Sequence, residues 1–381
     1  MTRRKTLALI GGGTLLAASG ATAGFVSTRT PYDALKPWQA AGQYRDPRMR
    51  ALSYAILAPN PHNRQPWMAD LRTEGEITLY VDTDRLLPHT DPFSRQIVIG
   101  LGCFLELLVL AAAQDGYRAD VFLFPEGSDA SALDTRPVAR ISFAKGGAEA
   151  EPNLFKETPN RRSSKEPFDM EQAVSETALA RMARAATRGS VVDFTNSPQF
   201  VADLRELTVD AFAIELGTRR TYKESVDLFR IGKAEVNANP DGIDFSGPFW
   251  ETLRLTGLFT REGAMDTDGF SYRSALDQVF STARTGMAYI WLVTPGNTRE
   301  DQITAGRDWV RLNLAATPLG VGVHPMSQAL QEFPEMADPY ARAHQMLAPE
   351  GGTVQMLGRL GYGPEIAQSP RWPLEKKLYE V

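Results

Sequence analysis

The sequence predicts a mixed α+β chain laid out as two successive series of elements. Apolar residues recur at helical spacing in some stretches and alternate in others. The helical stretches are long and the strand-like ones short. A second series of such elements begins near Leu154.

Residues 27–45, with Pro31 and Pro37, read as a linker. Over residues 46–58, Met49, Leu52, Ile56 and Leu57 recur at helical spacing. Residues 59–66 must be a loop, because three prolines and two asparagines do not continue a helix. Residues 77–81 alternate as a strand, and 97–114 form a helix apolar nearly all round, hence central and buried. Residues 121–124 and 138–143 are strand-like. In the second series, residues 173–187 are helical, 191–194 a short strand, and 200–233 an amphipathic helix. Residues 237–273 hold two short helical pieces at most. Residues 287–293 read as a strand, 299–316 as a helix, 320–327 as a loop and 354–360 as a strand.

A chain of 381 residues with 43% hydrophobic content can bury a large core. A net charge of −5 argues against a general nucleic-acid binder, which needs a basic face. The single cysteine, Cys103, lies in an apolar helical run and reads as packing. Four histidines at 62, 89, 324 and 344 show no metal-binding spacing. At the amino terminus, Arg3-Arg4-Lys5 resembles a twin-arginine export motif, with Thr6 where an aromatic is usual. A charge-free apolar stretch and the small-residue site Ala21-Thr22-Ala23 follow. Residues 1–26 therefore read as an export signal, with an uncleaved membrane anchor as the alternative. The expected address is extracytoplasmic or periplasmic.

Three stretches carry chemistry. The first, Pro59-Asn60-Pro61-His62-Asn63-Arg64-Gln65-Pro66-Trp67, offers amide donors and acceptors side by side. That suits a heterocyclic edge, and it equally suits a proline-stiffened turn. The second is Arg161-Arg162-Ser163-Ser164-Lys165-Glu166-Pro167-Phe168. Arg161 and Lys165 share a face of a helical turn that Ser163 can cap. Such a helix start holds a phosphate dianion, unless it is a solvated basic loop. The third is Ser369-Pro370-Arg371-Trp372-Pro373, where two prolines fix the backbone around an arginine.

Together these stretches resemble the FMN-dependent nitroreductase family, and more closely its Acg-type branch, in which one chain holds two nitroreductase-like halves. The resemblance rests on the turn ending Gln65-Pro66-Trp67, the helix Ile99-Gly100-Leu101-Gly102-Cys103, Arg161–Asp169, Gly306-Arg307 and Ser369-Pro370-Arg371. It implies an α+β nitroreductase-like fold of two tandem degenerate halves, residues 46–148 and 149–381, forming an intramolecular pseudo-dimer that needs no second copy. The first half keeps the turn and lacks the basic motif; the second keeps Arg161, Ser163 and Lys165 and lacks the turn, so one site is retained. Residues 237–285 are an insertion able to act as a lid.

The resemblance also implies roles. Arg161 and Arg371 would clamp the FMN phosphate, Ser163 would add a hydroxyl, and Lys165 would lie near the pyrimidine side of the ring. Asn60, Asn63 and Gln65 would meet the flavin edge, although Asn60 and Pro61 replace the usual serines. Pro325, Met326 and Ser327 fall where a backbone N–H would face the flavin N5. The implied activity is an FMN oxidoreductase passing hydride or electrons from a small donor, NAD(P)H being one candidate, to a nitroaromatic, quinone or similar acceptor. The twin-arginine export machinery would be a partner, and nucleic acid would not. The alternative is an FMN-sequestering protein with a lidded site and little turnover.

Overall fold

The computed structural model describes residues 28–379; the expected export segment over residues 1–26 lies outside them. The chain opens with a helix, α1 (Tyr32–Ala40), where the sequence suggests a linker. Pro37 is tolerated within its short length, and the helix buries Ala34 and Trp38. Helix α2 (Pro47–Ala55) starts on Asp46, whose carboxylate accepts from the Arg48 N–H, with proline at the first position.

The first half continues through β1 (Trp67–Asp70), β2 (Glu76–Val81), α3 (Arg95–Gln114), β3 (Tyr117–Leu123) and β4 (Ala139–Lys145). These strands form an antiparallel sheet in the order β1-β2-β4-β3. The second half runs through α4 (Glu176–Ala183), β5 (Val191–Thr195), α5 (Pro198–Gly217), α6 (Arg219–Asp227), β6 (Phe229–Ile231), β7 (Ile243–Phe245), α7 (Pro248–Leu255) and α8 (Phe270–Ala283). It ends with β8 (Ala288–Thr294), α9 (Arg299–Ala316), β9 (Gly322–Pro325), α10 (Ala337–Leu347) and β10 (Thr353–Gly361). The second sheet has the order β5-β8-β10-β9.

Set side by side, the sheets are the same object. In each, the first and second strands pair, a long helix links the second to the third, and the fourth inserts between second and third. The difference is the first connection: β1 and β2 are joined across residues 71–75, whereas β5 and β8 are joined by residues 196–287. That insertion carries α5 to α8 and the parallel β6–β7 pair. It holds more structure than the sequence suggests. The helix expected over 200–233 breaks at Thr218, which α6 follows, and ends before β6.

Helices α3 and α9 pack against each other at the centre, through glycine. A Cβ on Gly102 would collide with the Ile303 carbonyl, and one on Gly306 with the Ile99 carbonyl. The two contacts are reciprocal: each glycine meets the carbonyl three residues before the other. A local pseudo-twofold axis therefore passes between Gly102 and Gly306. Cys103 is buried there, its Sγ 3.1 Å from the Gly306 carbonyl. Helix α3 is long and apolar enough to cross a membrane, but it is a core helix, with 83% of its most apolar window buried. One apolar core spans both halves, joining Ile77, Leu79, Leu101 and Phe104 to Ile290, Leu292, Ile303 and Val310.

After β10 the chain crosses back over the first half. The Tyr379 N–H donates to the Ala69 carbonyl at 2.9 Å, and Leu378 bridges in parallel to Ala69. This return carries Ser369-Pro370-Arg371 to the end of α2.

Gly306→Ala should lower stability by about 2–3 kcal/mol, because a helix backbone is a neighbour that yields poorly. Denaturant unfolding should show it. Gly217→Ala, whose Cβ meets nothing within 4 Å, is the control and should leave stability unchanged or slightly higher.

Candidate functional site

Helix α2 ends in a turn that exposes the carbonyls of Ile56, Leu57 and Ala58, the negative end of the helix. The Arg371 guanidinium caps all three, donating from Nε to Ile56 O at 2.9 Å and from Nη2 to Leu57 O and Ala58 O at 3.2 Å. Its Nη1 donates to the Asn63 carboxamide oxygen at 2.7 Å. Pro59 and Pro61 stop the helix, and the chain then enters the left-handed region at His62, Asn63 and Gln65, with φ of 47°, 51° and 50°. Each such non-glycine residue costs about 1–2 kcal/mol. The turn persists because its own side chains over-determine it. Asn60 Oδ1 accepts from the Gln65 N–H at 2.7 Å, and Asn63 Nδ2 donates to Pro370 O at 3.0 Å. Gln65, fully buried, donates to Pro240 O at 2.6 Å and accepts from the Trp372 N–H at 2.9 Å. In this structure the amides of Asn60, Asn63 and Gln65 are thus engaged in holding the turn, the tail and the insertion together.

Residues 161–165 form neither helix nor strand, where the sequence suggests a helical turn. The Ser164 N–H donates to Val323 O at 2.9 Å, so the segment runs beside β9. Arg162 and Ser164 line a cleft of about 260 Å³ together with Val323 of β9 and Val321 just before it. Arg161, Ser163 and Lys165 do not line this cleft.

Arg161 and Arg371 converge. Both reach the Leu57 carbonyl, and the charge of Arg161 depresses the Arg371 pKa. Both are nearly sealed, at 3% and 2% exposure. Burial pulls Arg161 down to about 10; burial, with Arg161 and Arg162 beside it, pulls Arg371 to about 9. Among the described residues no carboxylate pairs with either. Arg161 Nη1 is buried with no hydrogen-bond partner. The guanidinium groups of Arg162 and Arg371 lie 4.7 and 5.4 Å from the Trp38 ring centre, and Trp38 Nε1 donates to Ser369 O at 2.8 Å. Trp38 was hidden from sequence reasoning because its helix looked like a linker.

Lys165 keeps an exposed side chain. Desolvation lowers its pKa, with Asp244 and Glu215 opposing. His62, drawn down to about 4 by burial, Lys165 and Arg64, has a buried and unpartnered Nδ1. Glu215 is pushed up to about 7 by burial, although Gln331 donates to it at 3.1 Å. Residues 322–325 form β9 where a loop was expected, and residues 325–327 lead out of it. Pro325 has no N–H, and the Met326 N–H donates to Leu357 O at 2.7 Å. The Ser327 N–H makes no hydrogen bond among the described residues. The insertion closes over this region: the Gly242 N–H donates to Asn63 O at 3.3 Å, and Asp241 binds Arg85, Arg230 and the Trp372 indole.

The pseudo-twofold relates Gly100, which lies against Asn60, to Thr304, which lies against Gly189. At this related position the loop after α4 replaces the amide turn, and arginines again gather. Arg188, Arg307 and Arg311 all reach Glu106, which is 0% exposed, and Arg311 also binds Glu151. Arg311 Nε donates to Ala185 O at 2.6 Å, much as Arg371 caps α2. Here the chain supplies its own anions.

No family model matches the chain. The fold and its pair of related positions define a fused two-half α+β protein. Over 348 residues the chain is 30% identical to "Putative NAD(P)H nitroreductase acg" of Mycobacterium tuberculosis, covering 87% of this chain and 93% of that protein. Over 346 residues it is 25% identical to "Putative NAD(P)H nitroreductase Rv3131" of the same organism, covering 85% and 91%. The chain therefore belongs to the acg family of NAD(P)H nitroreductase-named proteins. Among solved structures it is similar to the FMN-dependent nitroreductase NfnB from Mycobacterium smegmatis, at 18% identity over 60% of this chain and 96% of that one, with a TM-score of 0.37. It is also similar to a nitroreductase-like family protein from Bacillus cereus, at 14% identity over 62% and 99%, with a TM-score of 0.32.

Glu106→Gln leaves three arginines around a neutral amide and should destabilise the protein by about 3–5 kcal/mol. Burial alone would raise the Glu106 pKa, but Arg307 and Arg188 outweigh it and hold the carboxyl below its usual range. Its contribution is therefore present above the unfolded carboxyl pKa and lost as pH falls through the folded value. Unfolding midpoints measured from pH 3 to 7 should converge for wild type and Glu106→Gln at the acid end.

Proposed function

We propose that the chain is an FMN-dependent oxidoreductase of the nitroreductase type with one flavin site. The observation that carries this reading is the buried Arg161–Arg371 pair, which has no acid partner and leaves Arg161 Nη1 without an acceptor. Burying cations unpaired is costly, and a dianion from outside would remove the deficit. The donor set fits a phosphate, and Lys165, four residues on from Arg161, keeps accessible surface for a ring attached to it. The neutralised arginines around Glu106 give the reason for a single site.

Arg161 and Arg371 would hold the phosphate, with Ser163 adding a hydroxyl, and Asn63 would orient Arg371. Lys165 would place a positive charge by the ring and stabilise negative charge arising there. The Ser327 N–H is the donor left for the ring edge in the 325–327 stretch. Asn60 and Gln65 would act by fixing the turn. Bound FMN supplies reversible hydride transfer, so no side-chain nucleophile is required. The names of the relatives support a nicotinamide donor, and a nitroaromatic or quinone is the acceptor class proposed. The Arg3-Arg4 motif and the apolar run after it support export, where another reductant would serve. A second reading, flavin storage with little turnover, draws on the insertion's direct bonds to the turn at Asn63 and Gln65.

Titration with FMN should saturate at one flavin per chain, and Arg161→Met should raise Kd roughly 100-fold, the loss of one or two charge-assisted bonds. Two flavins per chain, or an unchanged Kd, would overturn the reading. Anaerobic mixing with NADPH separates turnover from storage: rapid bleaching of the flavin band supports the enzyme, and a band that resists every small reductant supports storage.

A further inference from the structure

His324 sits on β9 directly across from Arg359 on β10. Arg359 Nε donates to His324 Nδ1 at 2.9 Å. Arginine has no acceptor and stays protonated, so Nδ1 must be the bare nitrogen. In the neutral ring the proton is therefore on Nε2. Arg359 has little freedom to do otherwise. It is fully buried, donates to Thr285 Oγ1 at 2.9 Å and to Glu166 O at 2.8 Å, and lies 4.2 Å from the centre of the Phe168 ring.

The alternation along β9 fixes where His324 faces. Val323 lines the cleft with Arg162 and Ser164, so His324, next along the strand, falls on the opposite side, where Lys165 is a charged neighbour. His324 Nε2 has no hydrogen-bond partner among the described residues, yet it is not among the sealed, unpartnered polar atoms, so it opens on free space. The charged groups acting on that ring are Arg359 from β10 and Lys165 from the segment beside β9. Lys165 is also within electrostatic range of His62 of the turn, Glu215 of α5 and Asp244 of β7. Two cations and burial all disfavour a proton on Nδ1.

We propose that His324 is a further residue of this site, an always-neutral imidazole whose Nε2–H donates to an uncharged oxygen or nitrogen acceptor bound beside Lys165, with Arg359 as its positioning residue. The proposal rests on the flavin-site reading for the identity of the bound group, which is either the flavin ring edge or the carbonyl or nitro oxygen of the electron acceptor. A lysine supplies charge there; a neutral histidine supplies a directional donor that does not titrate with the medium.

Nitrogen-15 NMR of histidine-labelled protein tests the ring without flavin, His324→Gln identifying its signals among the four histidines. From pH 5 to 9 the wild-type ring should stay neutral and protonated on Nε2, and in Arg359→Met it should titrate within that interval. A wild-type ring that titrates there, or that carries its proton on Nδ1, overturns the proposal. In flavin-loaded protein, His324→Phe should lose about 10-fold, the worth of one hydrogen bond, and His324→Gln should recover part of it. A loss in FMN Kd places the acceptor on the flavin; a loss only in the KM of the electron acceptor places it there. Equal losses in the Phe and Gln variants overturn it. Failure of FMN to bind at all would defeat the flavin reading while leaving the NMR result to decide this one.

Discussion

A guanidinium moved out of water without a counter-charge costs several kcal/mol, and this chain does it twice within one site. Arg161 and Arg371 arrive from positions more than two hundred residues apart and share the last carbonyls of α2. The carbonyls take part of the charge, and the Trp38 ring faces Arg371 and Arg162. What stays unmet is Arg161 Nη1. Much of the surrounding architecture serves to deliver these groups. The return of the tail across β1 brings Arg371, the run beside β9 brings Arg161, and the strained turn at His62–Gln65 brings Asn63 to orient Arg371.

Duplication explains why such an arrangement exists once. The two sheets share one strand order, and α3 and α9 meet through reciprocal glycine contacts. An ancestral pair of equal sites would follow from that symmetry. At the related position, the carboxylates of Glu106 and Glu151 fill the place among the arginines that an outside anion would take. The same chemistry is thus structural in one half and open in the other. The insertion between β5 and β8 breaks the symmetry again, since its Pro240–Gly242 loop reaches only the open side.

Much of this was legible in the sequence, and the failures have physical causes. Helix α9 was found over its full span because Thr298 and Asp301 make a reciprocal cap and Thr317-Pro318 follows it. The turn at residues 59–66 was legible because proline and asparagine act locally. Strand β9 was lost because glycine and proline flank it and its partner β10 lies thirty residues on, so only pairing defines it. Helix α1 was read as linker from its prolines, which concealed Trp38. The segment 161–165 was given the wrong conformation because what holds it, the Val323 carbonyl of β9, lies far along the chain. The partners of Glu106 lie eighty or more residues away, and nothing in its own apolar helix announces them.

On the flavin-site reading, the buried arginine pair waits for a phosphate attached to a flavin. Comparing FMN with riboflavin, which lacks only that phosphate, tests it directly by fluorescence titration of wild type and Arg161→Met. Wild type should prefer FMN by at least about 100-fold, and the variant should lose most of that preference while riboflavin binds both alike. Equal affinity of the wild-type chain for FMN and riboflavin would contradict it.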